Sequence, residues 1–290
     1  MTKINKNTIM IFLGLLGGLI SWPLLELVLW KQSSFSNYLI FFMTATLIPG
    51  FFMGMFLACG EGLLNKSISR TIKGALIGLL AGSAGGILGG FAGQLLLSYI
   101  IQIFPDSGSG VLVLARTFGW ALVGIFVGLS EGIRSFSSRK LLLGALGGFI
   151  GGALGGLFLE ILSRYFSSSL PRLMGLLLMG AMISVFYTFL DKKYSFGILR
   201  VLNGSQAGKK YRINQKSMDL GSGNRTMIFT DYENMNDKEI EIKVDKGVIT
   251  VIDDSNGKNL YVNEKATDKT QLKYGDVIKA GSLKLLLEAE

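Results

Sequence analysis

Four glutamates lie within or at the ends of long apolar segments, and they have the clearest potential for chemistry in this sequence. They are Glu26, Glu61, Glu131 and Glu160. Ionisable groups inside a membrane are costly and commonly mark proton or ion pathways, so all four are functional candidates. Structural roles compete with this, because Glu61 and Glu131 fall near span ends and Glu160 precedes Arg164 by one helical turn. No run of polar residues connects the four, so transport is the second interpretation.

The composition excludes most other kinds of site. The 290 residues include no histidine and one cysteine, Cys59. Ser-His-Asp triads, His-ligated metals, thiolate metal centres and disulfide frameworks are therefore ruled out. The phosphate-binding loop GxxxxGK[ST] is also missing from the sequence. We therefore expect no catalytic residue, no metal and no cofactor, and we predict that the protein is not an enzyme.

The elements that must position the glutamates are membrane spans. Residues 1–190 contain only 12 of the 29 Lys and Arg residues and 5 of the 20 Asp and Glu residues. Segments long enough to cross about 30 Å of hydrocarbon occur six times, at about residues 9–30, 38–60, 74–103, 111–133, 141–162 and 173–190. The third is long and rich in glycine, so we expect it to tilt or break near Gly89 and Gly90.

The basic residues between the spans predict the orientation. Ten Lys and Arg residues fall on the side of the N-terminus and three on the other side. The positive-inside rule then places both termini in the cytoplasm, with the spans in a bacterial-type inner membrane.

The spans contain an internal repeat with a constant offset of 70 residues. Ten residues recur without a gap: Gly54, Phe56, Glu61, Gly62, Gly74, Ala75, Gly78, Gly82, Gly85 and Gly86 match Gly124, Phe126, Glu131, Gly132, Gly144, Ala145, Gly148, Gly152, Gly155 and Gly156. The second and third spans are thus duplicated, in parallel, as the fourth and fifth. Weaker matches between the glycines of spans 1 and 6 and these copies suggest a third, circularly completed pair.

The repeated glycines are spaced so that they line one face of a helix. Such faces let neighbouring backbones approach closely, within one chain or between copies in a homo-oligomer. A pore or substrate path lined by glycine is the alternative interpretation.

From about residue 197 the sequence pattern changes to short strands. Runs such as Val248–Ile252 and Leu283–Leu287 are separated by turns such as Asn256-Gly257. This pattern predicts an all-β sandwich over residues 197–290, after a juxtamembrane linker at residues 191–196. Its basic residues are interleaved with acidic ones, which argues against a nucleic-acid partner.

Three motifs in this half resemble the forkhead-associated (FHA) domain family. Met218–Gly221 is similar to the start of its hydrophobic-x-x-Gly-Arg signature, and Tyr261–Asn263 matches its Tyr/Phe-Val-Asn segment. Leu272–Ile278, followed by Gly281, resembles the closing Leu-x-x-Gly-Asp-x-Ile pattern. The resemblance covers nearly all of residues 196–288 and none of the membrane half.

The resemblance implies a phosphothreonine site at one end of the sandwich, but the chain departs from the family there. Ser222 occupies the position of the phosphate-binding Arg, and Asn236 and Glu239 occupy those of the Ser and His. The Asn that holds the peptide backbone falls on Asn256 or, without a gap, on the Lys258-Asn259 pair. The remaining candidates for phosphate binding are Arg225 and Lys258.

A phosphate of charge near −2 needs Arg or Lys and N–H donors, whereas Asp237 and Glu239 would repel it. We therefore predict a non-enzymatic inner-membrane protein that uses a degenerate FHA-like domain for phosphate-independent protein docking, in signalling or membrane-complex assembly. The alternatives are a small channel or transporter regulated by this domain, and phosphothreonine binding downstream of a Ser/Thr kinase.

Basic residues close to the last span allow two interpretations. Lys192, Lys193, Arg200, Lys209 and Lys210 either face anionic lipid of the bilayer or form ordinary solvated surface.

Overall fold

The computed structural model divides into two units, Met1–Leu190 and Asp191–Glu290. It describes residues 6–64, 67–103, 109–135, 137–166, 169–204, 206–222, 228–229, 236, 238–245, 247–255 and 259–289. The helices are α1 (Lys6–Trp30), α2 (Tyr38–Leu64), α3 (Ile68–Ile103), α4 (Ser109–Ser135), α5 (Ser138–Tyr165) and α6 (Leu170–Lys193). By length and composition, each of these six helices can cross a membrane.

The break expected in the third span does not occur, because α3 is continuous from Ile68 to Ile103. Gly89 and Gly90 are buried against neighbouring helices. The hydroxyl of Thr46 on α2 donates a 2.7 Å hydrogen bond to the carbonyl of Gly86 on α3. In an apolar environment a broken helix would leave backbone groups without partners, so close packing favours the unbroken form.

Glycines bring the helices of each pair into backbone contact. A Cβ added to Gly54 of α2 would collide with the carbonyl oxygen of Gly78 on α3. Seventy residues later, a Cβ added to Gly124 of α4 would collide with the carbonyl oxygen of Gly148 on α5. Dispersion and Cα–H···O contacts between the two backbones stabilise such interfaces.

The helices α6 and α1 form a third interface of this kind. Gly14 faces the carbonyl oxygen of Gly180, and Gly18 faces that of Leu176. The remaining neighbours are joined by glycines against larger side chains: Gly17 with Met53, Gly89 with Val123, and Gly151 with Ile183. Each described helix therefore contacts the next in chain order, and α6 contacts α1, which closes a ring.

The second unit is a sandwich of two β-sheets. Its strands are β1 (Ile198–Val201), β2 (Lys210–Arg212), β3 (Ser217–Gly221), β4 (Ile228–Phe229), β5 (Ile240–Asp245), β6 (Val248–Asp253), β7 (Leu260–Val262), β8 (Lys265–Ala266), β9 (Lys269–Leu272), β10 (Val277–Ala280) and β11 (Leu283–Glu288). One sheet has the order β2-β1-β11-β10-β7-β8 and the other β4-β3-β5-β6-β9. Neighbours pair antiparallel except β3 and β4, which are parallel.

Alternation along the strands builds the core of the sandwich. On β11, Leu283, Leu285 and Leu287 are fully buried, whereas the residues between them point to the opposite face. Strands β1, β5, β6 and β10 repeat this pattern, with Ile240 and Ile242 buried on β5. The polar residues of each strand are consequently gathered on the outer face of each sheet.

Candidate functional site

Among the sandwich residues that the sequence singled out, the described ones, Ser222, Asn236 and Glu239, lie at one end of the five-stranded sheet. The register pairs Leu220 of β3 with Ile240 of β5, and Ile240 with Asp253 of β6. The end of β3, the start of β5 and the end of β6 therefore meet. This brings Ser222, which follows β3, close to the segment that leads into β5.

Ser222 is hydrogen-bonded to the segment that leads into β5. Its backbone N–H and its hydroxyl both donate to the carbonyl oxygen of Asn236, at 3.0 Å each. Ser222, which the resemblance aligns with the cationic Arg of FHA domains, thus provides a short hydroxyl that ties two segments together. This contact gives the loop no positive charge with which to bind an anion.

Asn236 is held in turn by the buried carboxylate of Glu239. Its backbone N–H and its side-chain amide donate to Oε2 of Glu239 at 2.9 and 3.0 Å. Glu239 is fully buried, and its Oε1 has no hydrogen-bond partner among the described residues. A carboxylate only accepts hydrogen bonds, so it occupies two donors that a bound phosphate would need.

Acidic residues surround Lys238, a described lysine beside this loop. The ammonium of Lys238 lies 2.9 Å from Asp254, 3.2 Å from Asp219 and 3.6 Å from Glu241. The hydrogen bond to Asp254 is the largest influence on Lys238 and raises its pKa, although partial burial acts in the opposite direction. The charge of Lys238 is therefore already matched by three carboxylates.

The cluster of Lys238 with its three carboxylates was not predicted from the sequence. Asp219 and Glu241 are direct cross-strand partners, an arrangement that would be repulsive without the lysine beside them. Burial tends to raise the pKa of Glu241, but hydrogen bonds from Ser217 and Lys243 bring it below its ordinary value. Only the pairing of β3 with β5 reveals the cluster, and local sequence patterns do not specify that pairing.

Several candidates cannot be placed. Arg225, Asp237, Asn256 and Lys258 lie outside the described residues. In the membrane half, Glu61 and Glu131 lie in α2 and α4, and their side chains also fall outside the described part of the structure.

Glu26 forms a bidentate ion pair with Arg172 that joins α1 to α6. Arg172 Nε lies 2.6 Å from Oε1 and Arg172 Nη2 lies 2.8 Å from Oε2. The side chains of Arg172 and Glu26 are 30% and 25% exposed. Sequence reasoning counted this arginine only as a loop charge, because the two residues are 146 positions apart.

Glu160 is likewise held across a helix interface. Its carboxylate accepts hydrogen bonds of 3.3 Å from Arg116 and from the indole N–H of Trp120, both on α4. The sequence spacing indicated only Arg164 as a partner of Glu160. It gave no sign of Arg116 or Trp120, since it does not show which helices are adjacent. Glu26 and Glu160 thus belong to different interfaces, and each is paired with an arginine.

Within the described residues, no group of three or more Cys, Asp or Glu side chains is arranged to hold a metal ion.

Comparisons with known proteins give a match for the C-terminal unit. The family model described as "Inner membrane component of T3SS, cytoplasmic domain" matches residues 200–290. A search of curated proteins gave no match.

Solved structures similar to the sandwich include FHA domains and a T3SS component. An FHA domain studied for phosphothreonine-dependent interactions is 23% identical, covering 32% of this chain and 96% of its own, with a TM-score of 0.30. An FHA domain from Chlamydia trachomatis is 17% identical, covering 32% and 97%, with a TM-score of 0.30. The cytoplasmic domain of the T3SS sorting platform protein PscD from P. aeruginosa is 16% identical, covering 32% and 90%, with a TM-score of 0.30.

The C-terminal unit is an FHA-like sandwich that follows six long apolar helices, as the sequence predicted. The family match and the two-sheet strand order both fit this description.

Proposed function

We propose that this protein is a non-enzymatic, multi-pass membrane protein whose FHA-like unit docks a protein partner in a membrane-bound assembly, without requiring phosphate on that partner. FHA domains are protein-interaction modules, and the family that matches residues 200–290 is described as an inner-membrane component of a secretion system. This description supports an assembly role more than a signalling role.

The observation that carries the proposal is the way Glu239 binds Asn236. The backbone N–H and the side-chain amide of Asn236 donate to the buried carboxylate of Glu239. The hydroxyl and the N–H of Ser222 donate to a backbone carbonyl. A phosphate dianion binds where several donors converge with an unmatched cation. Here the donors are used within the protein, and the nearby Lys238 is matched by carboxylates.

For the membrane half we propose an anchoring role. Glu26 and Glu160 are fixed by arginines across two helix interfaces, which supports a structural function for both. The excess of basic residues on the N-terminal side of the spans supports a cytoplasmic position for the sandwich.

The test is binding of the full-length protein, in detergent, to a phosphothreonine peptide library in which each peptide is paired with its unphosphorylated form. We expect each pair to bind equally, to within about twofold. Phosphate-dependent binding in the micromolar range, about −8 kcal/mol, would overturn the proposal.

A variant that restores the family's donors provides the matched control. Ser222→Arg, Asn236→Ser and Glu239→His together replace the internal hydrogen bonds with the residue types that FHA domains use for phosphate. This variant should gain a preference for the phosphorylated peptide of a pair. If it and the wild type both prefer that peptide, the arrangement around Glu239 does not prevent phosphate binding.

A further inference from the structure

The outer face of the six-stranded sheet is rich in positive charge. Strand alternation turns Arg200 of β1, Lys210 of β2, Lys279 of β10 and Lys284 of β11 away from the core, and all four are exposed. The register places them on the same side of the sheet. We refer to these four residues as the basic face.

The four cations are arranged as two like-charged pairs. Arg200 is the direct cross-strand partner of Lys210, and Lys279 is that of Lys284. Like charges in directly opposite positions destabilise a sheet, so a pair without a counter-charge works against the stability of the free domain.

The two pairs differ in how far they are neutralised. Glu288 lies 3.1 Å from Arg200 and 2.9 Å from Lys210, and these contacts, that of Lys210 first, lower the pKa of Glu288. Lys279 lies 5.4 Å above the ring of Tyr261, and this cation–π contact supplies no negative charge to match the ammonium. Within the described residues, neither Lys279 nor Lys284 forms an ion pair, so this end of the face lacks a counter-charge.

Apolar side chains lie between the cations. Leu286 of β11 is the cross-strand partner of both Arg200 and Val277, and Leu286 and Val277 are only partly buried. On β10 and β11, the cations of the basic face are therefore spaced two residues from an apolar neighbour, Lys279 from Val277 and Lys284 from Leu286. An extended segment with carboxylates and apolar residues in alternation would match both.

We propose that the basic face docks an acidic, amphipathic segment of the partner protein. This rests on the proposed docking function and gives it a surface and a partner chemistry. A protein segment fits better than a lipid surface because Glu288 lies on the same face. A dense layer of anionic headgroups would meet this carboxylate, whereas separate carboxylates on a polypeptide can bind away from it.

The first experiment uses the full-length protein in phosphatidylcholine nanodiscs and a fluorescent peptide of alternating Glu and Leu. We expect Lys284→Glu to weaken binding about tenfold or more. The matched control is Lys269→Glu, which makes the same change in net charge on β9 of the other sheet and should stay within about twofold. Equal losses in the two variants, or no loss in Lys284→Glu, would overturn the inference.

Thermal unfolding separates binding from folding in the same samples. Lys284→Glu converts a like-charged pair into an opposite-charged one, so it should unfold no earlier than the wild type. A large destabilisation would overturn the assignment of these lysines as a repulsive pair. Lys279→Glu makes the equivalent change on β10 and should weaken peptide binding to a similar degree.

A vesicle assay distinguishes the lipid interpretation. If Lys284→Glu loses sedimentation with phosphatidylserine vesicles but keeps peptide binding, the face binds lipid and the inference is wrong. If Lys284→Glu loses peptide binding while its binding to the vesicles is unchanged, the inference is supported.

Photo-crosslinking in native membranes separates this inference from the proposed function. A crosslinker at Leu286 should capture a partner protein in the wild type, and this capture should be lost in Lys284→Glu. A partner captured only from Ser222, independently of phosphate, would refute the basic face and leave the proposed function intact. Phosphate-dependent peptide binding would refute the proposed function, whatever the acidic peptide does.

Discussion

Replacing Glu239 with glutamine tests the internal hydrogen bonds at the loop end of the sandwich. Glu239→Gln keeps the shape and one acceptor oxygen but removes the charge. In the wild type, Oε2 of Glu239 accepts two hydrogen bonds, from the backbone N–H and the side-chain amide of Asn236, at 2.9 and 3.0 Å.

The magnitude follows from the kind of bond that is lost. Hydrogen bonds to a charged group contribute about 1.5–3 kcal/mol each, and neutral ones about 1 kcal/mol. Two weakened bonds therefore lower the free energy of unfolding by about 1–4 kcal/mol before the relief of desolvation is counted. The buried Oε1 without a described partner reduces this loss, because burial of a carboxylate is itself unfavourable. We expect a net loss of about 2 kcal/mol, or about 8–16 °C in the unfolding midpoint of a unit of this size.

The assay is thermal unfolding of residues 191–290, whose core is built from its own strands, followed by circular dichroism. Asn236→Ala, which removes only the side-chain donor, completes a double-mutant cycle with Glu239→Gln. The two changes should be non-additive, because Asn236→Ala removes the amide contact that Glu239→Gln weakens. An unchanged or raised midpoint in Glu239→Gln would refute the reasoning, since it would show that the buried carboxylate costs at least as much as its bonds contribute.

Three further predictions concern packing, membrane charges and pH. Gly124→Ala should destabilise the detergent-solubilised protein by about 1–3 kcal/mol because its Cβ meets a backbone carbonyl, whereas Gly110→Ala, with open space around it, should cost nothing; equal effects would contradict the packing. Glu26→Gln and Arg172→Met should be strongly coupled in unfolding measurements, by up to about 3 kcal/mol, and additive effects would show that the pair does not form. The pKa of Glu288 is lowered in the folded state by Lys210 and Arg200, so its contribution is present at neutral pH and lost as the pH falls through that lowered pKa. The unfolding midpoint should therefore fall on acidification below about pH 4, less steeply in Glu288→Gln, and identical pH profiles would contradict this.

The glycine contacts show how far the repeat could be taken from the sequence. The 70-residue offset relates Gly54 and Gly78 to Gly124 and Gly148, and the structure places Gly54 against Gly78 and, in the same way, Gly124 against Gly148. Of the tilt or break expected in α3, the break does not occur, because glycine propensity is a local preference, whereas packing against α2 and α4 keeps the helix continuous.

The site at the loop end was predictable in part. From the resemblance, the sequence predicted that Ser222, Asn236 and Glu239 stand where FHA domains bind phosphate, and the structure brings these three residues together. The direction of each hydrogen bond was not predictable, because it depends on the path of the loop between β3 and β5. Lys238 gave no sequence signal, since its three carboxylate partners come from β3, from β5 and from Asp254, the residue that follows β6.

The sequence by itself determined the properties that depend on local composition and short spacing. These are the six apolar spans, the exclusion of histidine and thiolate chemistry, and the motifs of an FHA-like sandwich. Tertiary structure alone decided which charges meet. Glu26 pairs with Arg172 across 146 positions, and Lys279 lies opposite Lys284 only because β10 and β11 pair in one register. A shift of one residue would turn these side chains to the opposite face, so register and helix adjacency, which local patterns do not encode, create both the ion pairs and the basic face.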